Sequence, residues 1–152
     1  MKLSTKGRYA VMAMVDLANF HDDTKPVALA EIAERQHISL SYLEQLFAKL
    51  RRGGIVKSVR GPGGGYMLAQ PAANLRISDI VAAVHEPLRA TRCSPGDPKG
   101  CMVNQDRCLT HDLWEELGNQ IHLFLSSVTL EDVCTRRVLG KSGLLHQAQD
   151  VS

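Results

Sequence analysis

Cys93, Cys101, Cys108 and His111 bring three thiols and one imidazole into a single stretch, spaced as Cys-x7-Cys-x6-Cys-x2-His. Thiolates and imidazoles together are the ligands of zinc and of iron–sulfur clusters. Zinc accepts a Cys3His set, although its ligands are usually spaced more tightly than these. A [2Fe–2S] cluster usually takes cysteines alone, but imidazole can replace thiolate and raises the reduction potential. Cys108 and His111 are three residues apart, a spacing that puts both on one helical face or at a helix start. From chemistry alone zinc and iron–sulfur stand level, a disulfide switch comes third, and His111 as a plain helix residue is the bland alternative. Cys134 stands apart and reads as an ordinary helix thiol.

These ligands need a reducing compartment. The N-terminus is polar and basic, and the apolar run from Tyr9 to Val15 is too short for a membrane span and lacks a cleavage-site pattern. The expected location is therefore the cytoplasm, where thiols stay reduced and clustered cysteines point to ligation or redox sensing.

A polyanion partner emerges once the net charge of +2 is divided along the chain. Residues 1–60 carry ten Lys/Arg against six Asp/Glu, whereas residues 61–152 carry eight against ten. Between Ser41 and Arg60, the cations Lys49, Arg51, Arg52, Lys57 and Arg60 face the single acid Glu44. Such a patch fits nucleic acid, with a solvated basic face as the alternative.

The elements that must position these residues follow from hydrophobic period and breakers. A first helix is expected over Lys6 to Phe20, apolar nearly all round and hence buried. Pro26 closes a turn, and a short helix over Leu29 to Gln36 leads through His37-Ile38-Ser39 into a third helix from about Leu40 to Arg52. Leu43, Leu46, Phe47 and Leu50 give that helix one buried face, and Gly53-Gly54 stops it. Two strands, Ile55 to Arg60 and Gly65 to Ala69, flank the turn Gly61-Pro62-Gly63-Gly64. This order is that of a winged helix-turn-helix: a mainly α fold with a small β-hairpin wing. A short helix over Ile77 to Val84 packs back on the domain, and Glu86 to Asp106 reads as a loop long enough to be functional. A long helix from Leu109 to Val128 carries Trp114, Leu117, Ile121, Phe124 and Val128 at 3-4-3-4 spacing. That seam predicts dimerisation, against the alternative of packing on the chain's own core.

In a helix-turn-helix the third helix enters the major groove and its first turn reaches base edges. Ser41, Tyr42, Glu44 and Gln45 lie opposite the apolar stripe, with Lys49 further along for phosphate. Glu44 either reads a base or closes a capping box with Ser41, unless Ser39 is the N-cap and leaves Glu44 free. Arg60 at the wing base suits a minor groove, and the glycines from Gly61 let backbone come close to a neighbour. With Ser39 and Lys57 these residues make up the expected DNA-reading set. No Gly-Lys-Ser/Thr follows the glycine run, which excludes a phosphate-binding P-loop.

Four segments carry a resemblance to a known family: Lys6-Gly7-Arg8-Tyr9-Ala10, Ser39 to Phe47, Val59 to Tyr66, and Cys108-Leu109-Thr110-His111. The first three resemble a superfamily of iron, nitric-oxide and cysteine-metabolism regulators, and the last resembles its IscR family of iron–sulfur cluster regulators. The resemblance runs from Met1 to about Val138. It implies a homodimeric transcription factor holding a [2Fe–2S] cluster on Cys93, Cys101, Cys108 and His111. It also implies repression of iron–sulfur assembly genes by the cluster-bound form, and binding of a second class of DNA sites without the cluster. Glu44 is similar to the residue that discriminates these site classes, which favours readout over capping. The two gaps between the cysteines are longer than is usual in the family, and Pro95 and Pro98 lie in the first.

The expectation is therefore a regulator and not an enzyme, since no Ser/His/Asp set, paired carboxylates or nucleotide fingerprint is present. Its expected partners are double-stranded DNA, a second copy of the chain, and iron–sulfur assembly or carrier proteins. The expected layout is a DNA-binding domain over 1–85, a cluster loop over 86–108, a dimerisation helix and return segment over 109–140, and a disordered tail over 141–152. The rivals are a zinc- or disulfide-controlled repressor and an iron–sulfur carrier that does not act on DNA.

Overall fold

The computed structural model describes residues 4–20, 22–86, 100 and 102–138. Cys93, Cys101 and the expected tail over 141–152 lie outside the described residues. Six α-helices and one two-stranded sheet are seen among those described: α1 (Thr5–Phe20), α2 (Leu29–Gln36), α3 (Leu40–Arg52), β1 (Val56–Val59), β2 (Gly65–Leu68), α4 (Ile77–Ala83), α5 (His111–Ser127) and α6 (Leu130–Cys134). The order is that of a winged helix-turn-helix followed by a long helix.

Helix α1 is the centre of the core, with Ala10, Ala13, Met14 and Leu17 fully buried. It packs against α2, α3, α4, α6 and β2, which is why so little of its surface is polar. The charge it does bury, Asp16, is met by a bidentate Arg35 from α2 (Nη2 to Oδ1 2.7 Å, Nε to Oδ2 3.0 Å) and by Gln36 Nε2 at 2.8 Å. A buried carboxylate without such partners would be strongly destabilising. Here the pair locks the first helix of the helix-turn-helix onto α1. Between α2 and α3, His37 adopts a left-handed φ of 54° and its N–H bonds to Ala33 O, ending α2 and turning the chain.

Strands β1 and β2 pair antiparallel, with Val56 opposite Leu68 and Val59 opposite Gly65. The tip between them needs glycine at Gly61 (φ 102°) and Gly63 (φ 72°), where other residues would be strained. Val27 bridges to Tyr66 through two backbone hydrogen bonds of 2.8 and 2.9 Å, so the wing is anchored along β2. The Phe47 ring meets the Tyr66 ring edge-on at 5.0 Å, which joins the wing to α3.

Beyond α5 the chain returns to the core. Ile77 N–H donates to Val128 O, and Leu130 N–H donates to Leu75 O. A capping box then starts α6, with Thr129 and Asp132 satisfying each other's backbone N–H. This return corrects one expectation: Val128, placed in the dimer seam by spacing, is 2 % exposed and belongs to the chain's own core. Phe124 is half-buried against the same cluster. The long helix also starts two residues later than its apolar run, at His111.

Candidate DNA-reading surface and metal centre

The start of α3 is built by Ser39, whose hydroxyl accepts from Tyr42 N–H at 3.4 Å and lies 3.0 Å from Ser41 Oγ. Ser39 is thus the N-cap, and the Ser41–Glu44 capping box does not form. Glu44 is exposed, and no hydrogen bond or ion pair engages it among the described residues. Ser41 and Gln45 are exposed beside it, and Lys49 is half-buried one turn further on. Tyr42 is held rather than free: its ring stands edge-on to Tyr9 at 6.0 Å and its hydroxyl lies 3.5 Å from Thr5 Oγ1. The first turn of α1 therefore flanks the first turn of α3. At the other end, Arg51 Nη1 donates to Ser58 Oγ at 3.5 Å, linking α3 to β1. Lys57, Arg60 and Gly61 are exposed on the wing. The structure brings the α3 group and the wing group onto two elements fastened to each other, as groove reading requires.

One contributor went unseen in the sequence. Glu86, buried where α4 gives way to the cysteine segment, accepts from Ser4 N–H at 3.0 Å, Gly7 N–H at 3.1 Å and the Ser4 hydroxyl. Burial pushes its pKa up, but the hydrogen bonds from Ser4 and Gly7 outweigh it and hold the carboxyl below the usual glutamate range. Lys6 Nζ adds a contact to His85 O at 3.4 Å. The residue before the cysteine segment is therefore fastened to the first turn of α1, which in turn touches Tyr42. No local pattern flags Glu86, because its partners lie about eighty residues away. Asp16, by contrast, had a signal: a lone acid in an otherwise apolar helix.

Of the four expected metal ligands, the structure describes Cys108 and His111. Cys108 is half-buried with Sγ 3.8 Å from Thr110 Oγ1, and its carbonyl accepts from His111 N–H at 3.0 Å. Both residues therefore sit at the start of α5, as their spacing predicts. His111 is only 4 % exposed, and neither ring nitrogen has a hydrogen-bond partner among the described residues. Its Nε2 lies 3.8 Å from Glu115 Oε2, beyond hydrogen-bond range. A buried imidazole with both nitrogens unsatisfied carries a desolvation cost of about 1–3 kcal/mol that a ligand would relieve. The two described donors, a thiol and an unsatisfied imidazole, are of the type that a metal or cluster takes. Cys134 is half-buried on α6, and burial together with Glu131 pushes its thiol pKa up, a poor start for a ligand.

On α5, Trp114 is 41 % and Leu113 60 % exposed, and Leu117 and Ile121 are half-buried on the same side of the helix. An apolar stripe remains open over the first three turns, while the last turn is used by the chain's own core.

The sequence profile of the Rrf2 family, described as an iron-dependent transcriptional regulator, matches residues 3–136. The HTH-type transcriptional regulator IscR of Photorhabdus laumondii is 52% identical over 144 residues, covering 94% of this chain and 85% of its own. The IscR of Klebsiella pneumoniae (strain 342) is 50% identical over 148 residues, covering 97% of this chain and 88% of its own. Among solved structures, IscR of T. potens is similar with a TM-score of 0.70 at 40% identity, covering 90% of this chain and 88% of that one. CymR, the global cysteine regulator of B. subtilis, is similar with a TM-score of 0.73 at 32% identity, covering 90% of this chain and 98% of that one.

Proposed function

Since the chain belongs to the Rrf2 family of transcriptional regulators and is a DNA-binding regulator rather than an enzyme, we propose that it is a cytoplasmic homodimer that senses iron–sulfur cluster status. In this reading Cys93, Cys101, Cys108 and His111 hold a [2Fe–2S] cluster, and the cluster's presence selects which operators are bound, among them those of iron–sulfur assembly genes. The observation that carries it is His111: a buried imidazole with both nitrogens unsatisfied, three residues after a thiol at the start of a helix. When bound, the cluster supplies a one-electron redox centre that is lost when iron or sulfide is scarce.

The remaining work falls to the chain's own residues. Ser41, Glu44 and Gln45 offer hydrogen bonds to base edges, with Glu44 suited to a cytosine amino group. Lys49 and Lys57 neutralise phosphates, and Arg60 on the wing reaches a minor groove. Glu86 ties the start of the ligand segment to α1 and so to Tyr42, giving ligation a physical route to the reading helix. Ligation can bias DNA binding only by favouring one of two arrangements of that route. The open stripe of Trp114, Leu117 and Ile121 is the face offered to a second copy.

The test is the visible spectrum and iron content of protein purified without oxygen. The expected result is a coloured protein with iron and sulfide in equal amounts. Each of Cys93→Ala, Cys101→Ala and Cys108→Ala should abolish the colour, and His111→Cys should keep it. Stoichiometric zinc without iron, lost when the three cysteines are changed to Ala, would reject the cluster and leave a zinc-controlled repressor.

A further inference from the structure

His111 has a second set of neighbours that the cluster reading does not use. Among the described residues, the ligand atoms of His111, Asp112 and Glu115 lie within 4.8 Å of one another. The imidazole is buried with neither ring nitrogen hydrogen-bonded among the described residues, and its Nε2 faces Glu115 Oε2 at 3.8 Å. Asp112 and Glu115 are exposed, so their carboxylates can turn at little cost. With ligand bonds of about 2.1 Å, two donors on one ion stand roughly 3–3.5 Å apart, so the group needs to close by at most about 1–2 Å. At 100° per residue these three side chains lie on a different side of α5 from the stripe of Leu113, Trp114, Leu117 and Ile121. A partner seated on the stripe leaves them open.

We infer that His111, Asp112 and Glu115 form a binding site for a divalent first-row metal ion, filled when the protein carries no cluster. One imidazole and two carboxylates form a nitrogen–oxygen set that suits zinc, ferrous or manganous ions, with water completing the shell. The ion relieves the unsatisfied imidazole and brings two acidic side chains together without repulsion. Because it uses the same imidazole, it withholds His111 from a cluster until it leaves. The site needs no cysteine, so the binding itself is tested separately, while its exclusion of a cluster rests on the cluster reading.

The test uses full-length protein with Cys93, Cys101 and Cys108 all changed to Ala, titrated with Zn2+ against a chromophoric chelator and with Co2+ as a spectroscopic probe. The expected result is a single Zn2+ per chain. Co2+ should give weak visible bands without the near-ultraviolet absorption of thiolate ligation. Glu115→Gln, at an exposed position, should weaken binding at least about tenfold, Asp112→Asn should weaken it less, and His111→Ala should abolish it. Unchanged affinity in Glu115→Gln and His111→Ala would overturn the site. So would the absence of binding in the triple variant, provided its circular dichroism matches that of the unmodified protein. Should the triple variant misfold, Glu115→Gln and His111→Ala in the unmodified, cluster-free chain decide instead, and Co2+ bands of thiolate type insensitive to both would reject the proposal.

Discussion

Glu86 makes three hydrogen-bonded contacts through one carboxylate, two of them to backbone N–H groups at the start of α1 that would otherwise be orphaned. Glu86→Gln exchanges an acceptor for an amide that must face those donors with its own N–H groups. Hydrogen bonds to a charged group are worth about 1.5–3 kcal/mol, so a loss of roughly 2 kcal/mol at neutral pH is expected in urea unfolding. The pH dependence has a fixed sign. A carboxyl whose folded pKa lies below its unfolded value contributes fully above the unfolded value and is lost as pH falls through the folded one. Unfolding curves of the parent and the glutamine variant should therefore converge in acid and separate as pH rises toward the ordinary glutamate value, with the gap constant above it. A gap independent of pH would show that the carboxylate's charge is not what matters. At this scale legibility was mixed. Cys108 and His111 stood out as candidates by type and spacing, and Ser39 was weighed as an alternative N-cap to Ser41. Glu86 was invisible, because a long-range acceptor leaves no periodic trace.

At the scale of elements, α3 and the wing are predicted to bind duplex DNA electrostatically, with affinity falling steeply as salt rises. Lys49→Ala should weaken all sequences alike and reduce the magnitude of the logarithmic salt slope by about 1. Arg60→Ala should also flatten any preference for narrow minor grooves. Specific binding undiminished in both variants would remove these elements from the interface. For α5, Leu117→Lys with Ile121→Lys should yield monomers in sedimentation, since both sit on the open stripe. A dimer that survives would assign the stripe another role. Helix α3 was legible from its 3.6-residue apolar period, α1 from being apolar nearly all round, and the wing from its glycine run, whereas α6 was read only as a return segment. The end of α5 was not: a 3-4-3-4 seam looks the same whether it faces a partner or the chain itself. Only the backbone hydrogen bonds joining Val128 to Ile77 and Leu130 to Leu75 show that its last turn closes the monomer's core.

For the molecule as a whole, Glu86, which precedes the proposed ligand segment, and the start of α3 are close in the fold though distant in the chain. Glu86 touches the first turn of α1, and Thr5 and Tyr9 on that helix touch Tyr42 at the start of α3. A change at the proposed ligand segment would therefore have a short, packed path to α3, and the proposal to be tested is that ligation alters which DNA is chosen. The direct measurement is selection of binding sites from a random duplex library, run without oxygen on cluster-loaded protein and on the Cys93, Cys101, Cys108→Ala triple variant. Anisotropy titrations of both proteins on both selected sites then follow. A two-fold dimer should select near-palindromic sites with half-sites spaced by turns of the duplex. Two different consensus sites are expected, with the triple variant losing the first and keeping the second, and Glu44→Ala in that variant restoring part of the binding to the first. A single consensus bound equally by both proteins would contradict it.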